Sequence, residues 1–451
     1  MRGRAPFYKA YPKPKENRHD LHLCIDSCWV SRTALALAVA ALALPTAARA
    51  DDDTDRFGIW ESALEGIHGT SGDFTVRNIA RASVSGSRIR VRIGNQYGTQ
   101  SITIRSATIG LQQSAQKPAL IPGSLRELTF NHGQTSVNIK AGEVVWSDPV
   151  SLHVHAQQNM AISLYAPGAQ VDDHTFPAPE TNPPGCFISA AAGDHTAEVS
   201  GASFPSTYVF ANNRTPGWHP GEILWLDLID AKAEIQGAIV ALGDSITDGF
   251  QVSGGGDRWT DLLSERINEL PTEEQKSIVN AGISGNTVSR QPNPYDPTQQ
   301  CCGAPAPVRL DRDVLSVPGV TDVILLEGTN DPGGDGAWPP SSAAQVIGGI
   351  REIVARVHGA GLRIVGSTVL PMCNPPGSSK EMNRLAVNAF IRDRAESKLD
   401  AVIDWDAVMK DPADPTRMRA AWMNDCYHPN AIGDRKMADA VDLSIFGLGG
   451  D

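Results

Sequence analysis

The sequence predicts an α/β fold, a parallel five-stranded sheet with helices on both faces, preceded by an all-β sandwich-like domain. A continuous apolar run at 239–242 and strand-like runs at 277–281, 323–326, 362–369 and 401–404 alternate with helical periodicity. That is the pattern of a parallel sheet buried on both faces. Residues 55–230 instead carry short alternating runs between Gly and Pro turns, as in a sandwich. With 451 residues, 41% hydrophobic and 20% charged, the composition is globular and the length asks for two domains or one large one.

The chain divides at 1–50, 51–232 and 237–451. In the first segment an apolar run of eleven residues (34–44) follows Arg32 and precedes Pro45 and the small-residue site Ala48-Arg49-Ala50. The run is too short to span a bilayer, and its flanks make it a secretory signal cleaved after Ala50. A secreted or periplasmic protein with no stable membrane insertion is expected. The leader holds 8 basic and 3 acidic residues of the 39 and 51 in the chain, so the exported protein is strongly acidic. Acidity argues against nucleic acid as a partner and against charge-held attachment to anionic lipid.

In 51–232 the signature is alternation. Ile89, Val91 and Ile93 alternate with Arg90 and Arg92 before Gly94-Asn95, and Ile102 with Ile104, Leu152 with Val154, and Met160, Ile162 and Leu164 repeat it. The Pro- and Asp-rich stretch 171–184 reads as a long loop, and 223–229 as a closing strand. In 237–451 helical patterns follow the strands: Trp259, Leu262, Leu263, Ile267 and Leu270 on one face, then 344–357, 381–398 and 431–445.

Ligand sites in such sheets lie beyond the carboxyl ends of the strands, and the polar loops of this chain fall there. Gly243-Asp244-Ser245 follows the first strand, Gly282-Ile283-Ser284-Gly285-Asn286 the second and Gly328-Thr329-Asn330-Asp331 the third, with Asp425-Cys426-Tyr427-His428-Pro429 near the C-terminus. A serine needs a base to take its proton, the base needs a carboxylate to fix its tautomer, and donors must face the developing oxyanion. Asp425 and His428 are three residues apart, so one turn can join them. Gly285 allows close backbone approach, and Asn330 offers an uncharged amide donor.

These four segments, in this order, resemble the SGNH (GDSL) hydrolase family over roughly 237–448. The resemblance implies a flavodoxin-like fold, Ser245 as nucleophile, His428 as general base and Asp425 orienting it. It also implies an oxyanion hole from the backbone N–H groups of Ser245 and Gly285 and the side chain of Asn330. The wider phrasing, including Arg309-Leu310-Asp311-Arg312-Asp313-Val314-Leu315, looks like the branch of xylan-associated acyl esterases with a β-rich N-terminal module. The expected activity is therefore serine esterase action on short acyl, often acetyl, groups of carbohydrate-linked or small esters, without metal or organic cofactor. Lysophospholipase or arylesterase action is the alternative within hydrolases, and a non-catalytic polysaccharide-binding protein the alternative outside them.

Each residue also has a plainer reading. Ser245 could only cap a helix, Asn330 could stabilise a turn, and Asp425 with His428 could ligate a metal, although no third ligand has suitable spacing. His153 and His155 read as a solvated face, Trp259 as core, and Gly254-Gly255-Gly256 lacks the rest of a phosphate loop. Of the cysteines beyond the leader, Cys373 and Cys426 are both expected at the ligand-bearing rim and are possible disulfide partners, while Cys186, Cys301 and Cys302 allow other pairings.

Overall fold

Five strands run parallel: β1 (Ala238–Gly243), β2 (Ser277–Gly282), β3 (Val320–Leu326), β4 (Arg363–Ser367) and β5 (Ala401–Ile403). Their order across the sheet is 2-1-3-4-5. These features come from a computed structural model, which describes residues 55–174, 185–204, 223–252, 256–289, 302–331 and 341–449. The leader and its cleavage site, Gly254-Gly255, Cys301, and parts of the loops 171–184, 290–307 and 331–340 lie outside the described residues.

Successive side chains of a strand face opposite sides, which explains why apolar residues stand at consecutive positions. Ala238, Val240 and Leu242 of β1 enter one core, while Ile239 and Ala241 enter the other. After α1 (Ser245–Asp248), helix α2 (Trp259–Ile267) closes the second core with Trp259, Leu263 and Ile267. Trp259 is fully buried edge-on against Trp405, so it serves as core. The short α3 (Ala306–Leu310) leads to α4 (Ala343–Gly359), which closes the first core with Val346, Ile350 and Ile353, joined by Val387 and Phe390 of α5 (Ser379–Arg392).

Capping decides where these helices begin and end. A capping box between Ser342 and Gln345 starts α4. The helix expected over 381–398 breaks because Asp393 accepts the N–H groups of Ala395 and Glu396 and starts a new turn, Arg394–Ser397. The helix expected over 431–445 ends at Asp439, and Asp442 caps a separate turn at Leu443–Phe446.

Ahead of this sheet, two antiparallel sheets share one core. One contains Arg56–Glu61, Leu226–Lys232, Ser87–Gly94 and Val144–Trp146, the other Cys186–Ile188, Thr75–Arg81, Asn159–Tyr165, Ser106–Leu111 and Arg126–Glu127. Val91 and Ile229 of the first meet Val76 and Ile162 of the second in a single cluster. A smaller sheet joins Gly66–Thr70, Gln170–His174 and Ile223–Leu224. Here the sequence expectation needs three corrections. Residues 171–174 form a strand, the 223–229 strand is interrupted by Trp225 at φ +58°, and Val154 makes only an isolated bridge, to Gly86.

The two halves belong to one compact unit, 52–451, with direct hydrogen bonds between them. Gly58 N–H donates to Pro318 O at 2.8 Å, Arg92 to Ser316 Oγ at 2.7 Å, Arg312 to Leu64 O at 3.1 Å and Ser264 Oγ to Ser83 O at 2.7 Å. Among the described residues no helix is long and apolar enough to cross a membrane.

Candidate active site

In a sheet of order 2-1-3-4-5 the chain changes direction between β1 and β3, and the crevice beyond their carboxyl ends is the expected ligand position. Ser245 follows β1 there as the first residue of α1. Asp244 caps that turn by accepting the N–H of Ile246 at 3.0 Å, and Gly249 ends it in the left-handed region at φ +97°. The capping role considered for Ser245 thus falls to Asp244, which leaves the serine hydroxyl for other partners. Gly243 must lack a side chain, because a Cβ there would lie 2.2 Å from Thr247 Oγ1.

Ser245 Oγ lies 3.0 Å from His428 Nε2. On the far side of the ring, Nδ1 lies 2.9 and 3.0 Å from the two Asp425 oxygens. A carboxylate accepts only, so the proton of neutral His428 belongs on Nδ1 and Nε2 is left to accept from Ser245. Asp425 Oδ1 also takes the backbone N–H groups of Tyr427 and His428 at 2.7 and 2.8 Å, so one turn builds the pair. Partial burial pushes the Asp425 carboxyl up, but the hydrogen bond and charge of His428 and these backbone donors outweigh it and hold the group below the usual carboxylate range. Phe250 covers the imidazole with ring centroids 4.3 Å apart.

Asn330 follows β3. Its Nδ2 donates to Asn286 O at 2.8 Å, which fixes the amide plane and leaves its second hydrogen to point elsewhere. Gly285 follows β2 at φ +81°, and a Cβ there would meet Cys302 Sγ at 2.6 Å. Among the described residues no acceptor takes the backbone N–H of Ser245 or of Gly285.

Behind these loops stands a group that sequence reasoning quoted without giving it a role. Arg309, fully buried on α3, donates to Gly243 O, Ala281 O and Asn286 Oδ1 at 2.9, 2.7 and 3.0 Å. It therefore joins the ends of β1 and β2 to the residue that holds Asn330. Its Nη2 is also 3.6 Å from buried Glu327. Burial pushes the Glu327 carboxyl well up, and Asp244 adds to this. Burial likewise raises Asp244 to about 6, against the hydrogen bonds it accepts.

The disulfide Cys373–Cys426 is formed, with Cα atoms 5.3 Å apart, and ties the loop after β4 to the turn carrying His428. Cys302 is disulfide-bonded as well, and Cys186 is buried. His153 and His155 are exposed, their rings edge-on at 4.7 Å.

The fold and site thus define an α/β domain with a Ser-His-Asp constellation, whose polar loops gather at the ends of the first three strands and in one C-terminal turn. Residues 241–436 match the model of the GDSL-like Lipase/Acylhydrolase family, so this part of the chain is a GDSL-like domain. No curated protein matches the chain. Similar solved structures include a putative lipolytic protein of the G-D-S-L family from Desulfitobacterium hafniense, 18% identical, covering 45% of this chain and 96% of its own, at TM-score 0.34. An acetylxylan esterase from Geobacillus stearothermophilus is 20% identical, covering 47% and 94% at TM-score 0.35. A GDSL-like lipase from Bacteroides thetaiotaomicron is 18% identical, covering 47% and 89% at TM-score 0.35.

Proposed function

We propose that the protein is a secreted serine esterase that removes short acyl groups, acetyl foremost, from carbohydrate-linked or small esters. The observation that carries this reading is the chain of contacts from Ser245 Oγ through His428 to Asp425, at 3.0 and 2.9 Å. In the first step Ser245 Oγ attacks the ester carbonyl as His428 Nε2 takes its proton. The resulting imidazolium is stabilised by Asp425, which stays ionised. Negative charge on the carbonyl oxygen is met by the N–H groups of Ser245 and Gly285 and the Asn330 amide. His428 then protonates the leaving alcohol, and water, deprotonated by the same ring, releases the acyl group from Ser245. Arg309 and Asn286 favour this role for Asn330, because they fix the amide before substrate arrives. Short acyl groups and a carbohydrate alcohol are favoured by the resemblance of the segment from Arg309 to Leu315 to xylan-associated esterases.

Hydrolysis of acetylated xylan, compared with p-nitrophenyl esters of increasing chain length, tests the substrate. The expected result is deacetylation of xylan and a rate falling steadily beyond butanoate. A maximum at long acyl chains with no xylan deacetylation would replace this reading by a lipid esterase.

A further inference from the structure

One strand of the β-rich half ends against the nucleophile turn. His174, the last residue of Gln170–His174, is almost fully buried. Its Nδ1 lies 2.8 Å from Ala63 O and its Nε2 lies 3.0 Å from Asp248 Oδ1. Both partners are acceptors, so only the doubly protonated ring satisfies both nitrogens. Asp248 closes α1, the turn that Ser245 opens, and its other oxygen accepts from Ser284 Oγ at 2.6 Å. Ser284 directly precedes Gly285. The end of β2 also presses on this turn, since a Cβ at Gly282 would lie 2.3 Å from Asp248 N.

We propose that His174 is a positioning residue supplied by the β-rich half: through Asp248 and Ser284 it holds the Ser245 turn and the Gly285 loop in register for ester hydrolysis. The inference rests on the serine-esterase reading. Asp248 uses one carboxylate oxygen on each side, so the two loops that bear the nucleophile and a candidate oxyanion donor share one anchor. Errors of about 1 Å in such registration cost on the order of 10²-fold in rate. The β-rich half is then part of the catalytic apparatus. The acids around the ring are Asp248, Glu65 and Asp173, the residue before His174, and Arg258 faces Asp248 from the start of α2. Burial alone would lower the His174 pKa, but Asp248, with Glu65 and the Ala63 carbonyl, raises it to about 9. The cation therefore persists through neutral pH and is lost above it.

The test uses the full chain and p-nitrophenyl acetate, with melting curves to confirm that each variant is folded at the assay temperature. His174→Gln and Ser284→Ala are expected to lower kcat about tenfold with KM changed less than twofold, and the double variant to lose less than the product of the two. Wild-type kcat should fall above about pH 9, a limb that His174→Gln should lack. If His174→Gln does not fold, the kcat of Ser284→Ala decides. Wild-type kcat in the folded variants, a change in KM alone, or an alkaline limb that survives in His174→Gln would overturn the proposal. Ser245→Ala separates the failures. If it is inactive while His174→Gln has wild-type kcat, only the positioning role falls; if it stays active, the nucleophile reading falls and the relay with it.

Discussion

Removing the Cys373–Cys426 bond by the double substitution to serine should destabilise the protein and slow it. The bond closes a loop of sequence separation 53. In the chain-entropy account, the unfolded chain gains freedom when that loop opens, which amounts to about 4 kcal/mol at 25 °C. Activity should suffer too, because Cys426 lies between Asp425 and His428. The turn keeps other restraints: Asn424 N–H donates to His428 O at 2.9 Å and Asn424 Nδ2 to Gln251 O at 3.1 Å. A fall in kcat of about tenfold with little change in KM is therefore expected, rather than complete loss. Substitution is preferable to reduction, which would also open the disulfide at Cys302. Urea unfolding followed by tryptophan fluorescence measures the first effect and steady-state hydrolysis the second. A loss below about 1 kcal/mol together with a kcat within twofold of wild type would refute both arguments.

Asn330→Ala should lower kcat by roughly 10²–10³ and change KM far less, since the amide acts on the transition-state oxyanion. A rise in KM alone would make it a ground-state binding group. The His174 ring should also leave a mark on stability. Its folded pKa of about 9 lies above the ordinary histidine value, so its stabilisation is complete below about pH 6.5 and is lost as pH rises through about 9. The change is on the order of 3 kcal/mol, and unfolding free energies of wild type and His174→Gln should converge over that interval. Parallel curves would contradict it.

The parallel sheet was legible because both its faces are buried, so its strands carry apolar residues at consecutive positions, as at 239–242 and 323–326. The candidate site was legible because its groups are local: Asp425 and His428 share a turn, and Ser245, Gly285 and Asn330 each follow a strand directly. Helix ends were less legible. At Asp393 a capping side chain outcompetes a periodicity that runs on, and periodicity alone does not weigh the two. The least legible feature was the contact of His174 with Asp248, 74 residues away and in the other half of the chain. No local pattern marks such a pair, because its spacing is set by how the halves dock. Arg309 lies between these cases: it stood in a quoted phrase, but its reach to two strand ends exists only in the folded chain.

Covalent trapping shows whether Ser245 is the nucleophile. Wild-type protein and Ser245→Ala should be treated with a p-nitrophenyl phosphonate, followed by p-nitrophenol release, residual esterase activity and peptide mapping. If Ser245 is the nucleophile, wild type releases one equivalent of p-nitrophenol, loses activity in step with it, and carries phosphonate on the peptide containing Ser245. The Ser245→Ala protein is then folded but neither reacts nor hydrolyses esters. Labelling at another residue, or esterase activity in Ser245→Ala within tenfold of wild type, would contradict that role.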